Sequence, residues 1–197
     1  MSLDSSAVIL SGGSNSRMHG INKSFLQFGG TTFLETLIQN LRPLFSEILL
    51  VTRETHLYKG FDIKVVPDTY SIQCSLSGIH AGLTHASHSH AFMVACDTPL
   101  LKQALISLLL RELGSCTDVV VPRKGKYYEP LCAIYSKGCI RYIEHLISKN
   151  NLKITQLYNF VNLKEITAEK LETADPNLES FVNINTPEDL EWLNSNY

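Results

Sequence analysis

The residues of this chain best placed to do chemistry gather in one stretch, Leu10 to Lys23, which reads LSGGSNSRMHGINK. Two adjacent glycines, Gly12 and Gly13, are followed by small polar residues, by Arg17 and, further on, by Lys23. Glycine leaves room for backbone to approach a ligand and tolerates positive φ. Successive backbone N–H groups in such a turn form a concavity that binds anions. With two cations added, the stretch predicts a loop that holds the phosphates of a nucleotide. It is neither of two better-known glycine loops. The dinucleotide fingerprint needs Gly-x-Gly-x-x-Gly, and a P-loop needs Gly-Lys-Ser/Thr without a break, whereas here Ile21 and Asn22 separate Gly20 from Lys23. The plainer alternative is a polar strand-to-helix connection with two solvated cations. Its position directly after the first strand of an α/β pattern favours the phosphate reading.

Other polar residues fall where the ends of strands are expected. Ligands of open α/β sheets bind outside the carboxyl ends of the strands, and Ser11, Asp68, Asp97, Asn183 and Asn185 all follow apolar runs. Asp97, ahead of Thr98-Pro99, is the candidate metal ligand, because Mg²⁺ takes one or two carboxylates together with phosphate oxygens and water. The other role open to it is to cap the next helix. Asp68 follows Pro67, so it also reads as a turn signal. Glu129, ahead of Pro130-Leu131, could recognise a substrate donor or pair with Lys124 or Lys126. His85, His88 and His90 resemble a metal-binding tract, but their place before a strand puts them at the opposite sheet edge, as a solvated loop. His80 is expected to face the core and His56 to lie in a polar connection, while His19 sits inside the glycine stretch.

The elements that must position these groups alternate between short apolar runs and helix-like segments, which predicts parallel strands joined by crossover helices. Strands are expected at 7–10, 48–51, 63–66, 91–95, 118–122 and 131–135, with shorter ones at 160–163 and 181–185. Thr32-x-x-Glu35 has the capping-box pattern, and Phe33, Leu34, Leu37, Ile38 and Leu41 recur at helical spacing until Pro43. Further helices are expected from Gly78, over 100–113, and along Ile140, Ile143, Leu146 and Ile147. Segment 123–128 reads as a basic loop, and 154–158 as one or two helical turns. Thr186 with Pro187, Glu188 and Asp189 predicts a capped terminal helix.

The totals bound the function. A chain of 197 residues is long enough for one well-packed domain and short for two, so 1–197 is expected to form a single domain. Net charge is −2, with no Lys/Arg-rich block to recruit nucleic acid. Mean hydropathy is close to zero, and no apolar run approaches a membrane span. The five cysteines are scattered without a Cys-x-x-Cys pair, which predicts a reduced, cytoplasmic protein.

Taken in order, LSGGSNSRMHGINK, Pro67-Asp68, Ser75-Leu76-Ser77-Gly78, Cys96-Asp97-Thr98-Pro99, Glu129-Pro130-Leu131 and Asn183-Ile184-Asn185-Thr186-Pro187 resemble the molybdenum cofactor guanylyltransferase family, over nearly the whole chain. The resemblance implies a single-domain, Rossmann-like, three-layer nucleotidyltransferase fold with a mostly parallel central sheet. It implies that a terminal phosphate of molybdopterin attacks the α-phosphorus of GTP and that pyrophosphate leaves. Leu10, Ser11 and Gly12 would contact the nucleotide, with Gly13 shaping the turn. Lys23 and Arg17 would act on the triphosphate, Asp68 would lie near the guanosine, and Asp97 would bind Mg²⁺. Asn183 and Asn185 would border the acceptor. Molybdoenzymes or cofactor-handling proteins would be further partners.

Three positions depart from the family pattern. His19-Gly20 stands for a frequent Gly-Gly, Asn22 for a common Asp, and Val51-Thr52 where the family sometimes has Asn. Cytidylyltransferase relatives usually read Ala-Ala-Gly where this chain has Leu10-Ser11-Gly12-Gly13, which favours guanine. One rival reading is a related transferase using CTP or another nucleotide with a different phosphorylated acceptor. The other is a non-catalytic nucleotide- or cofactor-binding module, against which Arg17, Lys23 and Asp97 argue.

Overall fold

The computed structural model describes residues 5–12, 22–68 and 70–197. Its centre is strand β1 (Ser5–Ser11), every residue of which is buried. An apolar strand of this kind needs cover on both faces, and it has it. Parallel neighbours flank β1: β4 (Ile48–Thr52) on one side and β6 (His90–Ala95) on the other. With β5 (Lys64–Pro67), β7 (Val119–Lys124), β9 (Cys132–Ser136) and β10 (Leu163–Thr167), the sheet runs β10-β7-β9-β6-β1-β4-β5. Only β9, antiparallel to both β6 and β7, and the short β8 (Tyr127–Tyr128) break the parallel order.

Alternation along β1 divides the core in two. Ala7 and Ile9 join α1 (Phe33–Leu41) and α3 (Gln103–Arg111) on one face through Leu34, Leu37, Leu105 and Leu109. Val8 and Leu10 join α2 (Ser75–His85) and α4 (Ile140–Ser148) on the other through Ile79, Leu83, Ile143 and Leu146. The result is the three-layer α/β fold with a mostly parallel sheet that the alternation predicts. The capping box of α1 forms as expected, with Thr32 Oγ1 accepting from Glu35 N and Glu35 Oε2 accepting from Thr32 N. The terminal helix α6 (Pro187–Asn196) forms a second box between Thr186 and Asp189. The short α5 (Ala168–Glu172) packs Leu171 into the first core.

Several expectations about elements are corrected. Helix α2 starts at Ser75, three residues before Gly78, and α3 is shorter than 100–113. The basic loop at 123–128 is a hairpin, pairing Arg123 with Tyr128 and Lys124 with Tyr127 across Gly125. A second hairpin, β2 (Gln27–Phe28) with β3 (Thr31–Thr32), is too short to show a period in the sequence. The strand expected at 160–163 begins only at Leu163, because the edge position asks for little burial. Residues 181–185 form no strand. They follow a short 3₁₀ turn, and Ile184 N donates to Asp97 O at 2.9 Å.

That last segment is held by ions instead. Asp175, fully buried, accepts from Lys102 Nζ at 2.7 Å and from Ser180 N at 2.8 Å, while Ser180 Oγ accepts from Lys102 N. Burial pushes the Asp175 carboxyl up, and the Lys102 and Ser180 hydrogen bonds outweigh it, so the group stays below its usual value. A carboxyl lowered in this way stabilises the fold above its unfolded value of about 3.9, and the contribution is lost as pH falls through the folded value. Asp175→Asn is expected to lower stability at neutral pH and to flatten the loss of stability below about pH 4, measured by denaturant titration across pH.

Helix α2 lies unusually close to the sheet, since a Cβ at Gly82 would stand 2.7 Å from Val8 Cγ1 and 3.3 Å from Met93 Cε. Gly82→Ala is expected to cost about 1–3 kcal/mol by overpacking, read as a lower urea midpoint at an unchanged slope. An unchanged midpoint would show that the helix shifts outward freely.

Candidate active site

The carboxyl ends of β1, β4, β5 and β6 open into one cleft of about 890 Å³. Leu10, Ser11, Gly12, Lys23, Asp68, Asp97, Asn183 and Asn185, all singled out from sequence, line it. Gly13, Arg17 and His19 lie outside the described residues. Gly12 is exposed and lines the cleft, and a Cβ there would meet nothing within 4 Å among the described residues.

The floor of the cleft is a three-residue cluster. Lys23 starts a 3₁₀ turn, Lys23–Phe25, whose cap is Asn22. Its Nζ donates to Asp97 Oδ2 at 2.9 Å and to Asn185 Oδ1 at 2.6 Å. Both ionised side chains of the pair are largely buried, at 16% and 17% exposed. Asp97 lies just beyond β6, and its backbone carbonyl holds Ile184, which brings Asn185 to the same point. Asp189, the N3 residue of the capping box of α6, accepts from the backbone N–H groups of Asn185 and Thr186, fixing Asn185 from the other side.

The second oxygen of Asp97, Oδ1, is buried and has no hydrogen-bond partner among the described residues. A buried carboxylate oxygen left bare is costly, and a hard cation would satisfy it. Asp97 does not cap a helix: α3 starts at Gln103, and its cap is Lys102. The donor set fits Mg²⁺ in the form that uses one protein carboxylate plus phosphate oxygens and water. Among the described residues no group of three His, Cys, Asp or Glu side chains could hold a metal by itself.

Asp68 stands at the other wall. Its Oδ2 accepts from Ser77 Oγ at 2.7 Å and its Oδ1 from Tyr70 N at 3.3 Å, while its own N–H donates to Thr52 O. Thr52 lines the cleft and is buried, with Oγ1 accepting from Glu54 N. Arg53 and Glu54, which nothing in the sequence singled out, line it too. Arg53 donates to the carbonyls of Tyr70 and Ser71 and so braces the segment after Asp68.

The remaining candidates have other uses. Glu129 pairs with Lys124 at 2.6 Å, and Lys124 also lies over the Phe181 ring. His88 Nδ1 is 3.0 Å from Ser6 Oγ and His90 Nε2 3.1 Å from Thr117 O, at the edge of the sheet away from the cleft. His80 is buried, set edge-on against Tyr70 and 3.2 Å from Glu144. All five cysteines are free. Burial, with the charge of Asp97 added, pushes the Cys96 thiol up to about 11, and burial pushes Cys139 up to about 12. Neither supplies a thiolate nucleophile near neutral pH.

Beneath the cleft, Ser11, Ser24, Tyr58 and Asn22 form a buried polar knot. Nothing in the local sequence marks Tyr58, which sits in a polar stretch and owes its role to partners far along the chain.

A cleft at strand ends that holds an ammonium beside a buried carboxylate suits phosphoryl-type transfer, which needs positioned charge rather than covalent chemistry. Comparison with known proteins agrees. The family model described as the MobA-like NTP transferase domain matches residues 7–164. The molybdenum cofactor guanylyltransferase of Desulfosudis oleivorans is 38% identical over 184 residues, covering 93% of this chain and 91% of that protein. The crystal structure of molybdopterin-guanine dinucleotide biosynthesis protein A from Archaeoglobus fulgidus superposes with a TM-score of 0.84 at 28% identity, covering 96% of this chain and 97% of that one. The 2-C-methyl-D-erythritol 4-phosphate cytidylyltransferase of Thermus thermophilus shares the fold at a TM-score of 0.67 and 16% identity, over 95% and 96% of the two chains. From its glycine loop to its Asp97 cleft, the chain belongs to the MobA-like NTP transferase family.

Proposed function

We propose that the protein transfers GMP from GTP to the terminal phosphate of the molybdenum cofactor, molybdopterin, forming the guanine dinucleotide cofactor and pyrophosphate. The observation that carries this reading is the Lys23–Asp97 pair at the floor of the cleft, with Asp97 Oδ1 bare beside it. The names of the relatives support guanine as the base and the molybdenum cofactor as acceptor.

In this reaction a phosphate oxygen of the acceptor forms a bond to the α-phosphorus as the bond between the α- and β-phosphates breaks. The nucleophile is already ionised, so no general base is required, which fits a cleft whose Cys96 thiol burial pushes up to about 11. The backbone at Ser11 and the exposed Gly12, which line the cleft, is assigned to the phosphates. Lys23, held by two hydrogen bonds, presents a fixed positive charge to the triphosphate with little reorganisation, the condition under which such charges are most effective. Arg17 is the second cation assigned to the triphosphate. Asp68 faces the guanosine, and Asn183 and Asn185 border the acceptor. Asp97 holds Mg²⁺, which when bound would neutralise phosphate charge.

Among the described residues no helix is long and apolar enough to cross a membrane. Five free cysteines support a reducing compartment, the cytoplasm. Molybdoenzymes or cofactor-handling proteins are the proposed recipients of the product.

Pyrophosphate release with GTP, CTP, ATP or UTP, in the presence of Mg²⁺ and molybdenum cofactor, tests the assignment. Turnover with GTP is expected, and turnover with CTP alone would sink it. Lys23→Ala is expected to lower kcat by about 10²–10³, as for loss of one preorganised charge contact. Normal turnover in that variant would remove Lys23 from its role. EDTA is expected to abolish activity and excess Mg²⁺ to restore it, whereas indifference to EDTA would dismiss Asp97 as a metal ligand. Gly12→Val is expected to raise the KM for GTP, since a Cβ at this cleft-lining position meets no described residue within 4 Å and its methyls would enter the cleft.

A further inference from the structure

Tyr58 touches nothing in the cleft, yet its hydroxyl is where the two ends of the glycine stretch meet. The residue closes a 3₁₀ turn, Thr55–Tyr58, and is fully buried. Its ring stacks on Phe25 with centroids 5.2 Å apart. Its Oη stands 2.8 Å from Ser11 Oγ and 3.2 Å from Ser24 Oγ, and those two hydroxyls are 2.8 Å from each other.

Three hydroxyls in mutual contact carry three protons. If Tyr58 donates to Ser24, Ser24 to Ser11 and Ser11 to Tyr58, every proton is used once and the ring closes. One tyrosine lone pair is left, and Asn22 Nδ2 donates to it at 2.9 Å. The same amide donates to Glu54 Oε2 at 3.2 Å, and its oxygen accepts from Ser24 N at 3.1 Å. An aspartate at position 22 would offer Tyr58 and Glu54 no donor and would set a second carboxylate against Glu54. Asn22, a departure from the family pattern, is therefore matched to its surroundings here.

Ser11 ends β1 and precedes Gly12, whereas Asn22 and Ser24 flank Lys23. We propose that Tyr58 is a positioning residue for the nucleotide site: its hydroxyl sets the spacing between the backbone at Gly12 and the ammonium of Lys23. The proposal rests on the nucleotidyltransferase reading above and adds a residue that never meets substrate. Phenylalanine at 58 would keep the stacked ring but leave a serine proton and an asparagine N–H without their acceptor. Relief would come from movement of Ser11 or Ser24, which carry Gly12 and Lys23 with them. Small misplacements of positioned groups are costly to rate, of order 10²-fold for about 1 Å.

The test compares wild type, Tyr58→Phe and Gly82→Ala, a variant destabilised away from the cleft. Steady-state kinetics with GTP and molybdenum cofactor are run well below each melting temperature. Tyr58→Phe is expected to lose about tenfold or more in kcat/KM for GTP, the size of one buried hydrogen bond left unmade. Its KM for the molybdenum cofactor is expected to stay at the wild-type value, and Gly82→Ala is expected to keep wild-type kcat/KM for GTP. A Tyr58→Phe enzyme that melts lower but turns over GTP normally would overturn the proposal. Should Tyr58→Phe fail to fold, Asn22→Ala cuts the amide arm of the same ring from a half-exposed position. A fall in its kcat/KM for GTP is expected, and wild-type kinetics would overturn the proposal equally. Wild type is assayed in parallel with GTP, CTP, ATP and UTP. If it uses another nucleotide, guanine specificity fails separately, and the variants are scored against wild type on that nucleotide.

Discussion

The ammonium of Lys23 is the point to which three distant stretches of chain are tied. Asp97 reaches it from the end of a central strand, and Asn185 reaches it from a segment nearly ninety residues further on. A largely buried charge of this kind is tolerated when it is paired and hydrogen-bonded, because desolvation is otherwise uncompensated. Much of the C-terminal third can be understood as what keeps Asn185 in place. The bond from Ile184 to Asp97, the Asp189 cap and the Asp175–Lys102 anchor all act on one short irregular segment. Removing any of them would loosen the wall of the cleft that carries Asn183 and Asn185 before it disturbed the sheet.

The sheet supplies rigidity on the other side. Its parallel strands end at one edge because the crossover helices return each strand in the same sense. That places the carboxyl ends of β1 and β6 side by side, and therefore Gly12 near Asp97. The start of α2 sits tightly on the cleft end of β1, where Gly78 meets Leu10, and this holds that strand end against its neighbours. Catalysis by fixed charges depends on this, since a dipole or ammonium that must reorganise during the reaction has lost much of its effect.

How much of this could be read beforehand depends on whether a role is local. Strands buried on both faces announce themselves as apolar runs, so 7–10, 48–51 and 91–95 are legible almost to the residue. Two-residue strands such as Gln27–Phe28 and Tyr127–Tyr128 are too short to carry a period. Phe181-Val182-Asn183-Ile184-Asn185 alternates like a strand, yet a single backbone bond to Asp97 and a hydrophobic seat for Ile184 account for its pattern. Lys23 and Asp97 are legible as chemistry because strand ends are where ligands bind. Their direct contact, across 74 positions, is not. Tyr58 lies at the far limit: its partners are 47 and 34 positions away, and a lone tyrosine among polar residues advertises none of them.

One feature of the sheet bears on how such proteins diverge. Because β9 runs against β6 and β7, its amino end, at Leu131, arrives at the same edge as the carboxyl ends of its neighbours. The hairpin feeding it, from Lys124 to Tyr127, projects from that edge without crossing any strand that carries the nucleotide. Insertions there would lengthen one wall of the cleft while the registers of β1, β4, β5 and β6 stayed as they are. That turn can thus change the shape of one wall while the floor set by Lys23 and Asp97 keeps its geometry.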